Sequence, residues 1–189
     1  MNPRFLKEVK VVLEAAGWFE GRRASEDEIR TWNEMRSLFP AAERVLSEFA
    51  GLYVPARGMG KGGAWLDDLD EQGHLRLNPE FRPSFCIDPL AAFEDYGHSE
   101  TDDYEKHFGC KVRFIGFLSY SVSSASDGTR WVSGADHLLI DEHGRLFWVD
   151  YVVTLIGDTI EHALNNLILD TGMQRWDGEN NAPGTRTAR

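Results

Sequence analysis

Apolar residues recur at a helical period through the opening of the chain. Phe5, Val9, Val12, Leu13 and Ala16 form one stripe among Lys and Glu positions. Gly17 follows, where a left-handed residue ends a helix at least cost. Trp18-Phe19-Glu20-Gly21-Arg22 reads as an aromatic corner closed by a second glycine. Ser25-Glu26-Asp27-Glu28 has the form of a capping box, in which the Ser25 hydroxyl takes a free backbone N–H and Glu28 reaches back. It predicts a second helix carrying Ile29, Trp32, Met35 and Phe39. Pro40 suits the first turn of a third, which carries Val45, Leu46 and Phe49 and stops at Gly51.

The pattern then shortens towards strands. Leu52-Tyr53-Val54 predicts a short one, and residues 55–63 hold too much glycine for regular structure. A hairpin is expected around Gln72-Gly73, a strand at Phe85-Cys86-Ile87, a short helix after Pro89, and a helix from Asp102 to Phe108 ending at Gly109. Val112, Phe114 and Ile115 lead as a strand into Phe117-Leu118, followed by a polar loop from Ser121 to Arg130. Strands at Asp136–Ile140 and Leu146–Val153 flank the turn Asp141-Glu142-His143-Gly144. Asp158-Thr159-Ile160-Glu161 caps a closing helix with Ile160, Ala163, Leu164, Leu167 and Ile168 on one face, and Gly172 beyond it. The tail from Asp177 to Arg189 is polar and is expected to fray. No internal repeat is present. Helices first, antiparallel strands next and one closing helix predict an α+β fold, with an antiparallel or mixed sheet and helices grouped on one side. Residues 1–176 are expected to form one domain and 177–189 a flexible tail.

Charge narrows the function classes. The formal net charge is −11, whereas a protein that grips phosphates needs Lys and Arg to release counterions. Direct binding to nucleic acid or to an anionic membrane is therefore disfavoured, and a basic partner is favoured. Most of the excess lies in the middle. Asp67, Asp68, Asp70, Glu71, Glu80, Asp88, Glu94, Asp95, Glu100, Asp102, Asp103 and Glu105 are opposed there only by Lys61, Arg76 and Arg82. No apolar run approaches the ~20 residues of a membrane span. The amphipathic N-terminus, with Glu8 and Glu14, lacks the apolar core of a secretory signal, so a cytoplasmic protein starting at Met1 is expected. Cys86 and Cys110 stand outside any C-x-x-C spacing and read as reduced, partly buried thiols.

Several groupings invite chemistry. Asp103 and His107, four apart on the predicted helix, could face one metal with Asp102 and with His98 on the preceding loop, which is the pattern of a metal-dependent hydrolase. The motif lacks the Glu of H-E-x-x-H, and acids at a helix start are what the helix dipole favours anyway. Gly58-Met59-Gly60-Lys61-Gly62-Gly63 lacks phosphate-loop spacing, and no Ser or Thr follows Lys61. The serine run Ser119, Ser121, Ser123, Ser124 and Ser126 contains no G-x-S-x-G elbow. Asp136-His137 and Asp141-Glu142-His143 read as turn or exposed residues. No catalytic residue and no cofactor or metal is expected.

Four stretches taken in order resemble the SUKH superfamily, and within it the SUKH-3 immunity proteins. These are Ala16-Gly17-Trp18 with Gly21-Arg22, Phe49-Ala50-Gly51-Leu52, and Phe85-Cys86-Ile87-Asp88-Pro89-Leu90-Ala91. The fourth is Gly144-Arg145-Leu146-Phe147 with Leu155-Ile156-Gly157 and Ala163-Leu164…Leu167-Ile168. Ala50 stands where the family usually has a second glycine, and Phe-Ile-Gly-Phe around Gly116 departs from its Pro-Leu-Gly-Glu-like step. The resemblance, from about Phe5 to Gly172, implies the SUKH fold. It also implies a cytosolic bacterial protein that binds and neutralises a toxin encoded beside it, often a nuclease. An intracellular adaptor of the same fold is the alternative partner-binding reading. On the immunity reading the toxin-binding candidates are Trp65, Asp67, Asp68, Asp70, Glu71, Glu94, Asp95, Tyr96, Asp102, Asp103 and Tyr104, with the aromatics as anchors. The partner would be basic and the chain a monomer or weak homodimer.

Overall fold

The computed structural model describes residues 4–54, 66–69, 74–77, 84–95, 98–124, 130–150, 152–169 and 173–176. The three opening helices are α1 (Lys7–Ala15), α2 (Glu26–Met35) and α3 (Pro40–Phe49). Their ends have local causes. Gly17, at φ 95°, turns the chain out of α1. The Glu28 N–H donates to Ser25 Oγ at 3.2 Å while the Glu28 carboxylate accepts the Ser25 N–H at 2.8 Å, so the capping box is complete. Phe39 does not continue α2. It precedes Pro40, which excludes the helical region for its neighbour, and is the extended, buried N-cap residue of α3.

The remaining elements are β1 (Leu52–Val54), β2 (Leu66–Leu69), β3 (His74–Leu77), β4 (Phe85–Ile87), α4 (Pro89–Asp95), α5 (His98–Phe108), β5 (Val112–Ser124), β6 (Arg130–Asp141), β7 (Leu146–Val149), β8 (Val153–Gly157), α6 (Ile160–Leu169) and β9 (Met173–Arg175). The described strands form one sheet in the order β1-β4-β5-β6-β7-β8-β9-β3-β2. Every pairing in it is antiparallel. The strands flanking Gln72-Gly73 pair as expected. The two residues themselves lie outside the described ones, as do residues 55–63 and the tail 177–189.

Several boundaries differ from the sequence expectation. Ser121–Ser124 are not loop: they continue β5, with Val122 opposite Val132 and Ser123 opposite Trp131. Hydroxyl residues do not break a ladder when the facing strand offers β-branched and aromatic partners. The apolar run Leu146–Val153 is two strands. The Asp150 carboxylate accepts the Val152 N–H at 2.7 Å, a local bond that competes with the ladder, and β8 returns with Leu155 opposite Phe147. Helix α5 starts at His98 rather than Asp102. Within the expected Asp158–Glu161 capping arrangement it is Thr159 that caps α6, its hydroxyl accepting the His162 N–H at 3.2 Å.

Alternation along β4 to β8 sends apolar side chains to both faces of the sheet. On one face Phe85, Ile87, Leu118, Leu138, Ile140 and Leu146 meet Val9 and Leu13 of α1, Leu46 and Phe49 of α3, and Leu164 and Leu167 of α6. On the other, Cys86, Phe114, Phe117, Leu139, Phe147 and Val149 meet Tyr104 and Phe108 of α5 and Trp176 after β9. The α+β class holds, with α1, α3 and α6 grouped on one side, while α5 covers part of the opposite face. Burying each such Leu or Phe stabilises the fold by about 1.5–3 kcal/mol. Among the described residues no helix is long and apolar enough to cross a membrane.

Candidate functional site

The residues that carry the family likeness are largely committed to the fold. Trp18 is buried, stacked on Phe49 with ring centroids 6.5 Å apart, and its indole N–H donates to the Glu48 carboxylate at 3.1 Å. The Arg22 guanidinium donates to the carbonyl oxygens of Glu48, at 2.6 Å, and Ala50. It satisfies orphan carbonyls at the C-terminus of α3, where the helix dipole favours a cation. Asp88 accepts the Ala91 N–H at 3.1 Å and the Tyr53 hydroxyl, so the Asp-Pro step is the cap of α4 tied to β1. Gly116 sits at a register shift in β5. A Cβ there would lie 1.9 Å from the Cys86 carbonyl oxygen, so only glycine lets β5 approach β4 this closely.

The interaction candidates fall in two places. Asp67 and Asp68 lie on β2, the outermost strand at one end of the sheet, with Asp67 in register with Arg76 and the ladder irregular just beyond it. Asp102 and Asp103 are exposed on α5, and Asp103 accepts from Lys106 at 2.9 Å. Tyr104 points the other way: it is half-buried, its ring edge-on to Phe114 with centroids 5.4 Å apart. Glu94 and Asp95 close α4. Trp65, Asp70, Glu71 and Tyr96 lie outside the described residues. Strand β2 is six steps from β5, beneath α5, in sheet order. The two acidic groups thus lie on well-separated parts of the sheet.

The predicted metal grouping on α5 is not assembled among the described side chains. Asp102, Asp103 and His107 are exposed, Asp103 is paired with Lys106, and His107 has its ring edge-on to Phe108. The side chain of His98 lies outside the described ones. A different trio converges instead: Cys110, Glu142 and His143 bring one ligand atom each within 4.8 Å of the others. No spacing motif announces it. The β5–β6 register, with Val112 opposite Asp141, sets the segment after α5 beside the β6–β7 turn, and the Glu142 N–H donates to the Lys111 carbonyl at 2.9 Å.

Beneath that turn lies a buried ion pair. Asp141, fully buried, accepts from Arg145 Nε at 2.5 Å and from the backbone N–H groups of Arg145 and His143 at 2.9 and 3.0 Å. The Arg145 guanidinium lies 4.7 Å from the ring centre of Trp176 and 5.6 Å from that of Phe147. Burial, then the charge of Asp141, pushes the Cys110 thiol up, with Arg145 opposing. Asp136 and His137 are not turn residues: both lie in β6. His137 is buried against the rings of Phe114 and Phe117, and burial pushes the Asp136 carboxyl up. A groove of about 190 Å³, lined by Arg4, Arg44, Glu48, His143, Thr159 and Glu161 among others, opens on the other side of the turn. Arg4 spans it between Glu48 and Glu161. Its volume is below the ~300–1,000 Å³ usual for small-molecule sites.

No curated protein and no solved structure matches this chain. The family model described as SUKH-3 immunity protein matches residues 5–124. That span opens at the buried ring of Phe5, takes in the Trp18–Arg22 corner and the Asp88 cap, and closes at the end of β5, well over half of the 189 residues. The chain belongs to the SUKH-3 immunity protein family.

Proposed function

We propose that this chain binds a cognate toxin domain and silences it by covering the toxin's working surface, with no reaction of its own. Membership of an immunity-protein family carries the reading. The net charge of −11 and the exposed acids Asp102 and Asp103 support a basic partner surface, such as the phosphate-facing side of a nuclease. Acids presented there compete directly with a polyanionic substrate and accelerate encounter. The protein acts in this reading in the cytoplasm of the producing bacterium, and an interface of ~800 Å² on each partner suffices.

The test is a calorimetric titration of the full chain against the C-terminal domain of the large secreted protein encoded beside it. One-to-one binding at nanomolar Kd, about −12 kcal/mol, is the expected result. Asp67→Lys with Asp68→Lys, and separately Asp102→Lys with Asp103→Lys, then locate the contact. Absence of heat at about 10 µM, equivalent to roughly −7 kcal/mol, removes that toxin as the partner. The same silence with every neighbouring toxin domain overturns the reading.

A further inference from the structure

We propose that Cys110, Glu142 and His143 form a site for a thiophilic divalent transition ion, zinc in the ordinary case, where the end of α5 meets the β6–β7 turn. The inference is independent of the partner the chain binds. One donor atom from each residue lies within 4.8 Å of the other two. In a tetrahedral zinc site such donors stand about 3.3–3.6 Å apart, given metal–sulfur and metal–nitrogen or –oxygen bonds of ~2.3 and ~2.0–2.2 Å. Closing the site therefore requires the side chains to draw together from the separations seen here.

The backbone is already fastened for this. The Glu142 N–H donates to the Lys111 carbonyl at 2.9 Å, which ties the turn bearing two ligands to the segment bearing the third. Within the turn the Gly144 N–H donates to the Asp141 carbonyl at 2.9 Å, and the Asp141 carboxylate accepts the His143 N–H at 3.0 Å. Preorganised ligands lose little freedom on binding. Cys110 is half-buried while Glu142 and His143 are exposed, so an ion enters from solvent and a water completes its coordination.

Asp141 and Glu142 both add negative potential at the sulfur, while Arg145 opposes them and hydrogen-bonds the sulfur, a bond that the incoming ion displaces. Asp141 is itself engaged with Arg145 and is not a fourth ligand. The donor set selects the metal: a thiolate and an imidazole suit zinc, cobalt or cadmium, whereas magnesium and calcium require oxygen.

The experiment uses the full chain, stripped with chelator and titrated with Co²⁺ and then Zn²⁺. The expected result is one cobalt ion per chain with a thiolate-to-cobalt charge-transfer band, bleached stoichiometrically by zinc. Loss of outer-sphere partners alone weakens metal sites about 10–100-fold, so Cys110→Ser and His143→Ala should each weaken binding by at least about ten-fold. Cys110→Ser also abolishes the band. His107→Ala, on α5 outside the trio, leaves binding unchanged. Circular dichroism establishes that the variants fold, and the exposed His143 serves if Cys110→Ser does not. The proposal is overturned by absence of stoichiometric binding in the micromolar range, by cobalt binding without the thiolate band, or by binding that His143→Ala leaves intact.

Discussion

Arg145→Met is the substitution that best separates the fold's electrostatics from its packing. The methionine keeps an unbranched stem against Trp176 and Phe147 but removes the guanidinium 2.5 Å from the Asp141 carboxylate. Asp141 is fully buried, and after the change the backbone N–H groups of Arg145 and His143 still donate to it. Removing one partner of a buried pair costs about 3–5 kcal/mol because it strands a charge in low dielectric. Loss of the contact with the two rings is part of that figure, at about 1 kcal/mol. A destabilisation near 4 kcal/mol is a large share of the ~5–15 kcal/mol typical of a domain. At this chain length it should lower Tm by about 8–16 °C. Guanidinium denaturation measures it as a shift of midpoint at constant slope. Adding Asp141→Asn should then restore about 1 kcal/mol or more, since the amide oxygen still accepts the two N–H groups and no lone charge remains. The reasoning fails if Arg145→Met lies within about 1 kcal/mol of the wild type, or if the double variant is less stable than Arg145→Met alone.

Gly116→Ala should destabilise by about 3 kcal/mol or more, measured by denaturant midpoint, because its Cβ would meet backbone rather than a movable side chain. Ser25→Ala should cost about 1 kcal/mol at pH 7. The Ser25 N–H, with its hydroxyl, holds the Glu28 carboxyl below its ordinary 4.5, so the cap's contribution is present above the unfolded value and fades as pH falls through the folded one. Denaturation of both proteins at pH 7 and near pH 3 should therefore show the difference shrinking in acid. Burial pushes the Cys86 thiol up to about 12, with the Phe117 N–H opposing and Asp88 adding. A thiol reagent should thus modify Cys110 in the folded, metal-free protein and reach Cys86 only after unfolding. Equal rates at both cysteines would contradict the burial of Cys86.

Elements with local causes were legible from the sequence. Gly17, the Ser25–Glu28 box, Pro40 and Gly51 delimit the opening helices through interactions a few residues apart. The Asp141–Gly144 turn announced its hairpin in the same way. Boundaries set by distant partners were not legible. The hydroxyl-rich end of β5 is a strand only because Arg130–Ser133 pair with it. Strand β9 is three residues held by β8 and β3. The trio Cys110, Glu142 and His143 escaped notice because β5–β6 pairing, not sequence spacing, assembles it. The α5 grouping that did show helical spacing has Asp103 bonded to Lys106 instead.

The same division bears on how a partner could be recognised. Trp18, Arg22, Asp88 and Gly116 are occupied by a ring stack, two helix ends and a strand crossing, so they specify the fold and leave little to offer a toxin. Tyr104 is partly spent in the same way against Phe114. Asp102 and Asp103 have the opposite character. They are exposed, and the bond between Asp103 and Lys106 is a solvent-screened pair within one helix. Substitutions at such positions change surface charge with little effect on folding. Reversing their charge is therefore a clean probe: a loss of affinity there, with an unchanged denaturation midpoint, reports a contact rather than a damaged fold. A loss of affinity at Gly116 or Arg145 would not carry that meaning, because the scaffold would have changed first.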